Sequence, residues 1–195
     1  RDAPSPYRAE WGIETPHVAL YSGNIAYKQG IELVLDAARV LRGRSDLTFV
    51  ICGEGPTRAR LERAAAELPN VRIHDLQPRA RLGELLGMAS VHLLPQLAGA
   101  ADLVLPSKLT NMLASGRPVI ATADPGTGLA DEVAGVGIVT PPGDAAAFAA
   151  AIERLLDDRA QAVRLGHAAR ARAEERWSRD AILARFIARA GEAVR

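Results

Sequence analysis

From residue 17 onward, short apolar runs alternate with longer stretches whose apolar positions recur every three or four residues. "HVALYS" (17–22), "LTFVIC" (47–52), "VRIH" (71–74), "VHLLP" (91–95), "PVIATA" (118–123) and "GVGIVTP" (135–141) predict six strands, short and rich in β-branched residues. Helical patterns fill the intervals. One spans 29–44 with Ile31, Leu33, Val34, Ala37 and Val40 inward, and one spans 56–68, opened by Pro56. Others cover 79–89, a stretch from Ser107, a short piece around 128–134, and then 144–157, 159–175 and 178–193. Residues 1–16 carry three prolines and no periodicity, so they are expected to be a linker or arm, with one domain over 17–195.

Strands alternating with helices predict an α/β fold, a doubly wound Rossmann-like parallel sheet of about six strands with helices on both faces. The common strand order for that pattern is 3-2-1-4-5-6, which makes strands one and four neighbours. Ligands bind in the crevice beyond the carboxyl ends of those two strands.

Within "VLPSKLTNMLASGRPVI" (104–120), Ser107 reads as an N-cap, Leu109, Met112 and Leu113 form an apolar stripe, and Gly116 and Pro118 end the helix. Lys108 then sits in the first turn, beside the positive end of the helix dipole, where a cation is disfavoured unless an anion joins it. Lys108, Asn111 and Ser115 stand at i, i+3 and i+7 on the face opposite the apolar stripe. Lys28 lies in "GNIAYKQG", the loop after the first strand. If the topology holds, both lysines flank one crevice. A phosphate or diphosphate would suit two ammonium groups beside free helix N–H groups, and two solvated surface lysines are the plain alternative.

Composition narrows the classes. The 195 residues carry a formal charge of +1 with acidic and basic residues interspersed, which argues against nucleic acid as a partner. Lys28 and Lys108 are the only lysines among the 24 basic residues, so where they fall is informative. A single cysteine, Cys52 in an apolar run, excludes a disulfide framework and reads as a small buried hydrophobe. No apolar run is long enough to span a bilayer and no signal peptide opens the sequence, so a cytoplasmic setting is expected. The first residue is Arg1, as in a fragment or a processed piece. His74 and His92 flank or sit in strands and read as structural, and no His, Cys or carboxylate spacing suggests a metal site.

The order "YSGNIAYKQGIELVLDAA", "FVICGEGPTRARLE", "NVRIHDLQPRARLGELLGMASVHLLP", "LPSKLTNMLASGRPVIAT" and "GVGIVTPPGDAAAFAAAIERLL" resembles the C-terminal half of retaining family-four glycosyltransferases, which are two-Rossmann-domain (GT-B) enzymes. The likeness runs from about residue 18 to 190 and is nearest to the subgroup of colanic-acid and fucosamine transferases. These act on lipid-linked sugars in bacterial surface polysaccharide and lipopolysaccharide synthesis. The resemblance implies a domain that binds a nucleotide-sugar donor, expected to be UDP-linked, with no metal and no other cofactor. The acceptor would bind to an N-terminal half that is absent here, so this chain alone is expected to be inactive. The complete enzyme would be cytoplasmic and peripheral at the inner membrane face.

Carried over by position, the family's diphosphate-binding Arg and Lys fall on Asn24 and Gln29, leaving Lys28 one residue early; Gly23, next to Asn24, joins the expected donor-binding residues. The family's two glutamates fall on Leu103 and Asn111, with Asp102 adjacent to the first. Asn111 would then meet ribose, and Asp102 the donor sugar if the loop shifts. Ser107 and Lys108 would take the diphosphate. Gly53 and Gly55 would lie by the donor, and Leu76 and Gln77 by the nucleobase. Three other readings stay open. A nucleotide-binding or assembly module without catalysis is favoured by the missing glutamates, and half of a nucleotide-sugar epimerase shares the two-domain plan. A dinucleotide-dependent oxidoreductase would need a glycine-rich turn after strand one and an acidic end to strand two, and neither is present. Ile182, Leu183, Phe186 and Ile187 on the last helix are expected to be partly exposed and to support a homodimer.

Overall fold

The computed structural model describes residues 5–99 and 105–193. Six strands form one parallel sheet: β1 (His17–Ser22), β2 (Leu47–Cys52), β3 (Val71–His74), β4 (Val91–Leu94), β5 (Val119–Thr122) and β6 (Gly137–Thr140). The order across the sheet is β3-β2-β1-β4-β5-β6, as the alternation of patterns predicts. The strands read as continuous apolar runs because both faces are covered: every residue of β2, β4 and β5 is buried.

Alternate strand residues feed different cores. Ala19, Tyr21, Phe49, Ile51, Val91 and Leu93 face α2 (Glu32–Val40) and α7 (Ala145–Asp157). On the other face, Leu94, Val119 and Ala121 meet α5 (Ser107–Ala114), α6 (Gly128–Val133) and α8 (Arg159–Trp177). There too, Val18, Leu20, Val50 and Cys52 meet α4 (Leu82–Gly87) and the N-terminal segment. Cys52 is a buried free thiol whose Sγ–H donates to the carbonyl of Asp75. Two further helices are α3 (Arg58–Ala65) and α9 (Arg179–Ala193), which packs on α8. No described helix is long and apolar enough to cross a membrane.

Three expectations need correction. Part of the linker or arm over 1–16 is a packed element, because Pro6–Glu10 form helix α1, capped by Ser5, and Tyr7 is fully buried. Its contacts lie about 70 residues away in sequence, at Gln77 and Glu84, so no local periodicity announces them. In α2, Val40 is 59% exposed and Leu41 takes the buried place. The helical pattern from 29 begins later than predicted, since residues 27–29 form a short 3-10 helix closed by Gly30 in the left-handed region. On α9, Ile182 and Leu183 are each 45% exposed and Phe186 and Ile187 about 70%, as the pattern implies.

Candidate functional site: the crevice between β1 and β4

At the topological switch point the two central strands part early. The β1–β4 ladder pairs Ala19 with Val91 and Leu20 with His92, whereas β1–β2 pairing continues to Ser22 and Cys52. The opening beyond Leu20 is floored by the loops after β1 and β2, which lie backbone against backbone. Gly23 N–H donates to Cys52 O (2.9 Å), Ile25 N–H to Glu54 O (2.7 Å), and Gly53 N–H to His74 O (3.0 Å). Glycine is required for that approach. A Cβ on Gly53 would lie 1.8 Å from Gly23 O, and one on Gly55 would lie 2.2 Å from Ile25 O and 2.7 Å from Asn24 Oδ1. The predicted residues Gly23, Asn24, Gly53 and Gly55 therefore meet in one place, and the first duty of the two later glycines is to let these loops touch.

Lys108 reaches the same place from α5. Its Nζ stands 4.2 Å from the centre of the Tyr21 ring, a cation–π contact, and its Cδ and Nζ lie 3.4 and 3.6 Å from where a Cβ on Gly23 would be. Burial lowers its pKa to about 8, and among the described residues no carboxylate offsets the loss of water. Among the described residues no hydrogen bond or ion pair reaches its ammonium. Tyr21 is held beneath it by donating its hydroxyl to Asn24 O (2.6 Å). Ser107 is not the N-cap: Pro106 takes that position, and Ser107 is the first helical residue. Consequently no side chain caps α5. The same holds for α2, α3 and α4, whereas Thr127 and Asp144 cap α6 and α7. The helices that follow the first four strands thus start without an N-cap side chain at the crevice end of the sheet, although backbone carbonyls already take first-turn N–H groups such as those of Leu33, Arg58 and Leu109.

The other predicted residues divide. Ser115 leaves the expected polar stripe, because its hydroxyl donates to Met112 O (2.6 Å) and meets His92 Nε2 (2.9 Å). With its own proton so placed, Ser115 must accept from His92, which fixes a neutral Nε2–H imidazole whose Nδ1 is buried without a partner. Asn111 is exposed and lines a depression with Thr110, Arg170, Glu174 and Trp177 on the α8 side of α5. Lys28 is exposed on the short 3-10 helix, and nothing described joins it to Lys108, so the pairing of the two lysines reduces to Lys108. Leu76 is 61% exposed in the loop after β3. Gln77 in that loop accepts from Tyr7 and donates to Asp75 O. Asp102 and Leu103 lie outside the described residues. His74 stacks on Trp11, and among the described residues no cluster of His, Cys, Asp or Glu could hold a metal ion.

Three site residues escape the sequence reading. Tyr21 is hidden in an apolar strand and carries no signal. Thr57 donates its hydroxyl to Ile25 O (2.9 Å), tying α3 to the first loop. Arg58 ties the floor together: it pairs with Glu54, Glu62 (2.8 Å) and Asp75 (2.5 Å) and donates to Gly53 O (3.0 Å). Its spacing of four residues from both Glu54 and Glu62 is a legible sign.

Comparison with known proteins fits this geometry. Residues 5–172 match the model of the family described as Glycosyl transferases group 1. The chain is 42% identical over 144 residues to the colanic acid biosynthesis glycosyl transferase WcaI of Escherichia coli K12, covering 71% of this chain and 35% of that protein. It is 33% identical over 161 residues to the alpha-D-kanosaminyltransferase of Streptomyces kanamyceticus, covering 77% and 39%. The chain thus spans little more than a third of the length of either relative. Among solved structures, Anabaena Alr3699/HepE in complex with UDP-glucose superposes with a TM-score of 0.79 at 17% identity, over 96% of this chain and 52% of that one. On its family match and its identity to WcaI, the chain belongs to the group 1 glycosyltransferases and forms a Rossmann-like domain of the GT-B kind.

Proposed function

We propose that this chain is the donor-binding, C-terminal half of a retaining glycosyltransferase. It would hold a UDP-sugar whose sugar passes to a lipid-linked acceptor in surface-polysaccharide synthesis. The observation that carries the reading is Lys108, an ammonium desolvated over Tyr21 and Gly23, paired with no carboxylate among the described residues, at the start of α5, whose N-cap is Pro106. When a glycosidic bond to a nucleotide diphosphate breaks, negative charge grows on the leaving oxygens. A fixed cation meets that charge without reorganising. Asn111 would reach the ribose, Leu76 and Gln77 the base, and Ser107 the phosphates. Gly23, Asn24, Gly53 and Gly55 form the floor, with Lys28 at its rim and Asp102 near the sugar. No metal enters the scheme.

Support for the polysaccharide pathway comes from the WcaI relationship, and support for a UDP-sugar from the HepE complex. The reading places acceptor groups in a segment outside this chain, so the chain alone gives no transfer. It also places the complete enzyme in the cytoplasm against a membrane, and makes the α9 stripe a surface for self-association. A second reading is favoured by Asn111 in place of a glutamate: a module that binds nucleotide sugars without catalysis.

Titration calorimetry tests the donor reading. UDP and UDP-glucose should bind, NAD should not, and Lys108→Ala should weaken UDP by about 10–100-fold, the effect of losing a charge-assisted contact. Equal affinity of wild type and variant would remove the diphosphate from Lys108.

A further inference from the structure

The N-terminal segment is fastened to α4 and the turn that opens it, to the end of β3 and to the loop after β3. Ser5 Oγ donates to Glu84 O (2.7 Å), and Arg81 lies over the Tyr7 ring at 4.0 Å while bridging Glu10 (2.6 Å) and Glu84 (2.7 Å). Trp11 packs on Tyr7 with ring centres 4.5 Å apart and stacks on His74 at 3.7 Å and 8°. None of this closes the sheet, since α1 pairs with no strand. What Tyr7 does is donate its hydroxyl to Gln77 Oε1 (2.9 Å), and Gln77 Nε2 donates in turn to Asp75 O (2.8 Å). That carbonyl also accepts from Cys52 Sγ. The Asp75 carboxylate meets Arg58 (2.5 Å), and Arg58 donates to Gly53 O, on the glycine pressed against Gly23. A continuous polar chain therefore runs from Tyr7, through the loops after β3 and β2, to the floor beneath Lys108.

We infer that residues 5–11 are a positioning element of the donor site: Tyr7, acting through Gln77, holds the loop after β3 in the form that receives the nucleobase. The inference rests on the donor reading and adds a part to it. Exposed Leu76 and Pro78 lend this loop little packing of their own; Arg58 and Cys52 hold its start at Asp75, and the tether at Gln77 holds the rest. A loop released from that tether must be ordered again by each nucleotide that binds. Linkage makes the effect mutual, because a nucleotide that needs the ordered loop must also tighten the segment that orders it.

The test compares UDP with inorganic pyrophosphate on wild type and Tyr7→Phe. Phenylalanine keeps the ring under Arg81 and against Trp11 and removes only the hydroxyl. The expected result is a loss of about three- to tenfold in UDP affinity, with pyrophosphate binding unchanged. In the wild type, UDP should also slow amide hydrogen exchange over residues 5–11. Unchanged UDP affinity in the variant, an equal loss of UDP and pyrophosphate, or exchange that ignores UDP would each overturn the inference and leave the donor reading standing. A wild-type chain that binds no UDP would overturn the donor reading first, and the inference with it.

Discussion

Lys108 holds its charge where both burial and the α5 dipole penalise it, and the pH dependence of binding exposes that arrangement. In the free protein it titrates near pH 8, against an ordinary value of 10.5. Between those values the unfolded chain binds more protons than the folded one, so Lys108 makes stability rise with pH across that window. A bound diphosphate acts in the opposite sense: it favours the ammonium and raises its pKa. UDP binding should therefore take up protons near pH 8 and weaken as pH climbs through it. Calorimetry at pH 8 in two buffers of different ionisation enthalpy reads the uptake, and Lys108→Met should abolish it. Absence of uptake in the wild type would leave Lys108 without a diphosphate. The sequence places this lysine correctly, because alternating strands and helices fix which loops meet at the switch point. It does not reveal Tyr21, whose ring could face either side of a strand buried on both faces. Nor does it separate Pro106 from Ser107 as the residue that opens α5, since both suit a first turn.

Strands, helices and their order are readable because a parallel sheet covered on both faces imposes apolar runs of one length and helical stripes of another. The loops that build the site are harder to read, since their partners are remote in sequence. "GEGP" reads only as a tight turn, yet Gly53 is fixed by Gly23, thirty residues earlier, and Gly55 by Asn24 and Ile25. Substitution separates packing from turn chemistry. Gly53→Ala drives a methyl into Gly23 O and must break the hydrogen bonds that join the two loops, which should cost about 3 kcal/mol. Gly43 lies in a turn with nothing within 4 Å of an added Cβ and no left-handed φ, so Gly43→Ala should stabilise by about 0.4–1 kcal/mol. Urea unfolding of the two variants measures both. A mild effect at Gly53 would show that the loops can separate and that the floor of the crevice is not rigid.

Taken as one molecule, the domain hangs on β1 and β4, where the halves of the sheet join through a short ladder. The helix at residues 6–10 belongs to this unit although its sequence gave no periodic sign of it, for its burial depends on distant α4 and the loop after β3. His92 sits in β4 with no exposed surface, and burial followed by the Arg117 charge pushes its pKa down to about 3. Below about pH 6.5 the unfolded chain therefore takes up a proton that the folded chain refuses, so stability must fall as pH drops from 6.5 towards 3. The slope approaches 1.4 kcal/mol per pH unit for a single buried group, or about 2 kcal/mol between pH 6.5 and pH 5. His74, also shifted down, adds to the total, so the share of His92 is read by difference. Glutamine at position 92 can still donate to Ser115 and does not titrate, so His92→Gln should lose most of this acid sensitivity. Because β4 lies at the centre of the sheet, the loss should be global, with backbone and aromatic signals moving together in urea titrations at each pH. If only one signal shifts, protonation opens a local region around α5, and the two halves of the sheet unfold separately.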